Sequence, residues 1–181
     1  YEGREHSALE YSNEAFVLNG FSKLYSMTGW RLGYIITPPK HQRLIQKMQQ
    51  NFFIAANTFV QWAGIAALKE AQPDVDRMVT CFNERRKLTV RRIKEIGFGV
   101  AKEPTGAFYV LANAKRFTGD SLAFAFEVLE HAGVGIAPGI DFGSNAEGFV
   151  RFSYANSLEN IEEGMSRIER YLHGNRKGSL P

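Results

Sequence analysis

Cys81 is the only cysteine in 181 residues, so the chain has no internal disulfide framework and its fold must rest on a buried core. The four histidines, His6, His41, His131 and His173, are scattered without metal-ligand spacing, and no structural metal is expected. No run of roughly eighteen apolar residues occurs, which excludes a membrane-spanning helix. The opening stretch YEGREHSALEYSNEAF is too polar for a secretory signal, so a soluble, cytoplasmic protein with no membrane partner is expected. Excess charge of one sign is also lacking. Twenty-two Lys and Arg against 19 Asp and Glu leave a net charge of +3, too balanced to imply a nucleic-acid partner. Neither a repeat nor a low-complexity tract is present.

What is present is apolar material, 44% of residues with 13% aromatic, enough for a sizeable core. AFVLNG and LGYIIT read as two buried strands, rich in β-branched and aromatic residues and bounded by Gly and Pro. HQRLIQKMQQ and TFVQWAGIAALKEA read as helices, the second with Ala63, Ala66 and Ala67 on its inner side and ended by Pro73. The texture changes at EAQPDVD, residues 70 to 76, the expected internal boundary. From Asp74 a long helix is expected to about Glu95, with Val75, Met78, Val79 and Phe82 on one face and Gly97 as its stop. Strands at GAFYVLA, VGIA and FVRFSYA, a helix at SLAFAFEVLEHAG and a closing helix at LENIEEGMSRIERYLHG complete a second α/β unit. The tail NRKGSLP has no apolar period and is expected to be loose. Of the remaining candidates, ERRKLTVRRIKE reads as a solvated helix face, Cys81 as a buried helix residue, Trp30 and Tyr34 as packing residues, and His131 as a helix-end residue.

The stretch GFSKLYSMTGWRLG, residues 20 to 33, concentrates the chemistry. Lys23 sits on the loop between the first two strands, and a lysine amine attacks a carbonyl only once its pKa, ordinarily about 10.4, is lowered by desolvation or a nearby cation. Arg31 is a candidate for that cation. Gly20 and Ser22 leave the approach to Lys23 open, and Gly29 and Gly33 let backbone come close to whatever Arg31 holds. A guanidinium grips a phosphate with two parallel charge-assisted hydrogen bonds. An amine forming an imine with a phosphorylated aldehyde suits this pair. A Walker phosphate loop does not, because Lys23 is followed by Leu24 and lacks the glycine spacing before it.

GFSKLYSMTGWRLG resembles the lysine signature of the class I and II aminotransferases, fold type I enzymes that use pyridoxal phosphate. YIITPP, PTGAFYVL, GVGIAPGIDFG and GFVRFSYANSLENIEEGMSRI resemble successive blocks of that family, in order, over nearly the whole chain. The resemblance implies an α/β fold, with residues 1–72 ending the large cofactor domain, 73–174 forming the small domain and 175–181 a tail. It implies that Lys23 forms the imine with pyridoxal 5'-phosphate and then acts as general base, that Arg31 contacts the cofactor phosphate, and that Arg151 binds the substrate α-carboxylate so that the Cα–H bond is the one weakened. The residues of the strand agree in one respect. Val150 and Phe152 point away from the face that Arg151 shares with Phe149 and Ser153, and if that face is buried the arginine needs an anionic partner. The implied partners are an amino acid and a 2-oxo acid, in a homodimer.

Two departures accompany the likeness. Gly20 stands three positions before the lysine, where the family often has a phosphate-binding hydroxyl. The family's upstream Gly-rich block, the aspartate for the pyridinium nitrogen and the tyrosine for the ring oxygen have no counterparts, so the chain reads as the C-terminal portion of a longer polypeptide, inactive by itself. Lyases, decarboxylases and acyltransferases of the same fold, or an effector-binding regulator domain with the aminotransferase shape, are the alternatives.

Overall fold

A computed structural model describes residues 1 to 174. The expected loose tail, 175–181, lies outside them. The described chain forms two compact units, Gly3–Met78, and Tyr1–Glu2 together with the chain from Val79 onward.

In the first unit β1 (Val17–Gly20) and β2 (Gly33–Ile36) pair antiparallel, with Gly20 opposite Gly33. α1 (Gln42–Phe52) and α2 (Thr58–Glu70) follow, the second capped by Asn57, whose Oδ1 accepts the Phe59 N–H at 3.3 Å. Phe21, Met27 and Ala67 form a small core, with Tyr25, Leu32 and Ala63 against it. The lysine is on the loop between β1 and β2, as expected, but the strands are not buried. Leu18 is 77% exposed, and Tyr34, Ile35 and Ile36 are exposed too. The apolar runs suggested strands covered on both faces, whereas among the described residues this is a two-stranded ribbon. Ala66 likewise faces outward, leaving Val60, Gly64 and Ala67 as the buried side of α2.

α3 (Gln72–Ile96) carries the chain from the first unit into the second. Pro73 occupies its first turn rather than terminating α2, a place where the missing N–H costs nothing. Cys81 is half-buried rather than buried.

The second unit holds β3 (Tyr109–Asn113), α4 (Ser121–Ala132), β4 (Ala137–Pro138), β5 (Phe149–Ser153) and α5 (Leu158–Gly174). The sheet is antiparallel in the order β3-β5-β4. Its core joins Val90, Ile93 and Ile96 of α3, Val110 and Ala112, Phe124 and Val128, Val150 and Phe152, and Ile161, Met165, Ile168 and Leu172. The α5 residues are the apolar stripe read from helical spacing. β4 is shorter than the expected VGIA strand. Gly133 turns left-handed at the end of α4, and Val134–Ile136 form no ladder with β5. At the start of α4 every early N–H finds an acceptor. Asp120 takes those of Leu122 and Ala123, and Glu147 takes that of Ser121. Arg92 ties α3 to α5, with nitrogens at 2.8, 2.8 and 2.7 Å from carboxylate oxygens of Glu95, Glu162 and Glu169.

Candidate active site

The first constellation lies on the turn that joins β1 to β2. Its base is apolar. Phe21 and Met27 are buried, and the Phe21 N–H donates to the Leu32 carbonyl at 3.2 Å, closing the turn where the strands part. The strands pinch there, since a Cβ on Gly20 would stand 3.3 Å from the Leu32 carbonyl oxygen and one on Gly33 would stand 3.2 Å from that of Asn19. This close approach leaves little room for a side chain at position 20.

Lys23 is exposed on the outer side of this turn, and its carbonyl accepts the N–H of Ser26 at 3.3 Å. Arg31 is also exposed and adopts the left-handed conformation, φ 54° and ψ 44°, which for a residue with a side chain costs of order 1 to 3 kcal/mol. No local residue pattern marks this strain, because the glycine on which one would look for it, Gly29, lies two residues earlier. Arg31 Nη1 donates to the Thr28 carbonyl at 3.0 Å, and Thr28 Oγ1 donates to the Ser22 carbonyl at 3.2 Å. Among the described residues Arg31 forms no salt bridge, so most of its five N–H donors remain available. Arg31 borders two depressions. One of about 370 Å³ is lined by Gly20, Ser22 and Gly33 among others, and one of about 570 Å³ by Thr28, Gly29, Trp30 and Asn57 among others. A Cβ on Gly29 would meet nothing within 4 Å, so this side of the turn is open. Trp30 packs on Phe59 at 6.0 Å, and Tyr34 meets Phe21 edge-on at 5.9 Å.

The second constellation surrounds Arg151, in the middle of the central strand β5. Val150 and Phe152 enter the core, which leaves Arg151 on the opposite face, half-buried. An anionic partner was the expectation for a buried face. Two aromatic rings take that place instead. The guanidinium carbon is 4.2 Å from the centre of Tyr109 and 4.5 Å from that of Phe142, distances at which a cation is attracted by the ring quadrupole. Among the described residues Arg151 forms no salt bridge. Its N–H donors lie in the guanidinium plane and suit a carboxylate.

Tyr109 and Phe142 were not singled out from sequence. Tyr109 is paired with Ser153, hence diagonal to Arg151, and only the register reveals that neighbour. Phe142 comes from the 3-10 turn Gly139–Phe142 after β4; the signal for it was the PGIDFG block itself. No cluster of three or more His, Cys, Asp or Glu able to hold a metal occurs among the described residues, and none of their helices is long and apolar enough to cross a membrane.

A family model described as aminotransferase class I and II matches residues 3–168. A (5-formylfuran-3-yl)methyl phosphate transaminase of Methanocaldococcus jannaschii is 42% identical over 177 residues, 96% of this chain and 47% of that protein. An aspartate aminotransferase of Pyrococcus horikoshii is 40% identical over 178 residues, again 96% of this chain and 46% of the relative. The solved structure of an aromatic aminotransferase from Pyrococcus horikoshii superposes with a TM-score of 0.91 at 34% identity, over 97% of this chain and 48% of that one. The chain spans about half the length of the curated relatives it matches.

Proposed function

Since the chain belongs to the class I and II aminotransferase family, we propose that it serves a pyridoxal-phosphate-dependent enzyme that moves an amino group from an amino acid to a 2-oxo acid. Residues 1–72 are read as the end of the large cofactor-binding domain and 73–174 as the small domain, within a longer, cytoplasmic, homodimeric protein. Exposed apolar side chains in the first unit, Leu18, Phe52, Phe53 and Trp62 among them, support a reading in which further protein covers that surface.

The observation that carries the proposal is the turn between β1 and β2, where an exposed primary amine and an exposed guanidinium stand on one frame pinned by Phe21 and Met27. This donor set fits a phosphorylated aldehyde. Lys23 would hold the cofactor covalently through Nζ, and Arg31 would hold its phosphate, with the hydroxyl residue Ser22 on the same depression. Pyridoxal phosphate, when bound, supplies the electron sink that makes an amino acid's Cα–H acidic. The chain's own part is then positioning and proton transfer. Freed when the substrate's amine displaces it from the cofactor, Lys23 Nζ would take the proton from the substrate's Cα as general base and, as general acid, give it to the cofactor carbon from which it was displaced. Arg151 binds the substrate carboxylate through paired N–H donors.

The relatives include enzymes named for aspartate, aromatic and furanyl phosphate substrates, so the assay uses a panel of donors. The longer protein that contains this sequence is incubated with pyridoxal phosphate, each amino acid and 2-oxoglutarate, and glutamate is measured against a Lys23→Ala control. Absence of lysine-dependent glutamate with every donor sinks the proposal.

A further inference from the structure

The loop between β4 and β5 fixes one of the two rings against Arg151, and its own anchorage is buried. Ser121 has none of its surface exposed, and its Oγ accepts the backbone N–H of Ile140 at 3.1 Å. The backbone N–H of Ser121 donates to Glu147 Oε1 at 2.7 Å, and the same oxygen accepts the N–H of Gly148 at 2.8 Å. Gly139 is packed so closely that a Cβ there would lie 2.5 Å from the carbonyl oxygen of Phe149. Between these anchors the loop is a chain of turns, Gly143 N–H to Ile140 and Ala146 N–H to Gly143. Phe142 sits inside that chain, so shifting its backbone, and with it the point from which the ring is carried, means breaking a buried hydrogen bond or opening a packed glycine contact.

We propose that Ser121 and Glu147 are positioning residues, a latch that holds the Gly139–Phe142 turn and, through the Phe142 ring, fixes the Arg151 guanidinium for a carboxylate. Neither side chain hydrogen-bonds Arg151, and neither is among the residues assigned above to the reaction. A helix-capping role alone already explains why Glu147 meets the Ser121 N–H. It does not explain why Ser121 turns its hydroxyl to Ile140, or why the loop so held carries a ring to the arginine. The two hydrogen bonds hold the Glu147 carboxyl below the usual carboxylate range, so the latch is charged near neutral pH. The inference rests on reading Arg151 as a carboxylate-binding residue, and its test separates the two ideas.

The test is NMR on the 15N-labelled 181-residue chain, read at the Arg151 Nε–Hε group, with acetate as the probe and chloride as the ionic control. Wild type is expected to show an ordered Nε–Hε by heteronuclear NOE and a saturable shift with acetate only. Ser121→Ala and Glu147→Ala should lose that order and weaken acetate binding about three- to tenfold, with core amide shifts unchanged. Glu147→Gln, which keeps a carbonyl oxygen for both N–H donors, should retain both. Should the alanine variants unfold, Phe142→Ala, at an exposed position, removes the ring without touching the anchors and should loosen Arg151 equally. Order and acetate affinity that stay at the wild-type level in the folded variants overturn the latch. A wild-type Arg151 that is indifferent to acetate, yet loosens in the variants, upholds the latch and refutes the carboxylate reading.

Discussion

The guanidinium carbon of Arg151 stands 4.2 Å from the centre of the Tyr109 ring, across the sheet from a residue that is not its direct strand partner. A lysine at this position would keep the charge but lose both the planar stacking and the paired donors. Charge-assisted hydrogen bonds to a carboxylate are worth about 1.5 to 3 kcal/mol each. Arg151→Lys in the active protein should therefore raise the amino-acid KM by about ten- to a hundredfold while cofactor content stays near normal. Steady-state kinetics with a bound-cofactor assay check this, and unchanged KM for every donor would assign Arg151 to the surface.

Lys23 offers a chemical test that needs no turnover. Reduction with borohydride in the presence of pyridoxal phosphate, followed by digestion and mass mapping, should place the pyridoxyl group on the peptide that contains Lys23. The same treatment of Lys23→Ala should leave that peptide unlabelled. A dominant label on Lys40, Lys47 or Lys69, the other lysines of the first unit, would refute the assignment.

Elements whose apolar period matches one buried face could be read directly. Ile161, Met165, Ile168 and Leu172 on α5 and the Val150/Phe152 pair on β5 lie in the core as patterned. Burial that depends on other elements could not be read this way. β1 and β2 have the composition of covered strands, yet what covers a strand is a tertiary fact and Leu18 is open. At the candidate site, the types and loop position of Lys23 and Arg31 were legible, whereas the left-handed turn at Arg31 and the rings on Arg151 depend on backbone torsion and register. The Ser121–Glu147 contact joins residues far apart in the chain, with no local motif to announce it.

Arg92 joins three carboxylates between α3 and α5. Its side chain is 12% exposed, but those of Glu95, Glu162 and Glu169 are 41 to 48% exposed, so solvent screens much of the attraction. Arg92→Ala should cost about 1 to 2 kcal/mol, less than loss of a fully buried pair. Urea denaturation of the chain would measure this. The loss should shrink in high salt, because the carboxylates are reachable by ions.

Glu147 Oε1 accepts two backbone N–H groups, and these hold its carboxyl below the ordinary value, the Ser121 N–H first and the Gly148 N–H second. A carboxyl whose folded pKa is depressed binds fewer protons folded than unfolded in the acid range, so its contribution to stability is complete above the unfolded value, about 4.3, and is lost as pH falls through the folded value. The Ser121 amide resonance should therefore stay fixed from neutral pH down through about 4.3 and move only below it. In Glu147→Gln, which has no proton to gain, that step should be absent. A wild-type Ser121 amide that titrates at the ordinary glutamate value would mean that the carboxylate is not held by these donors in solution.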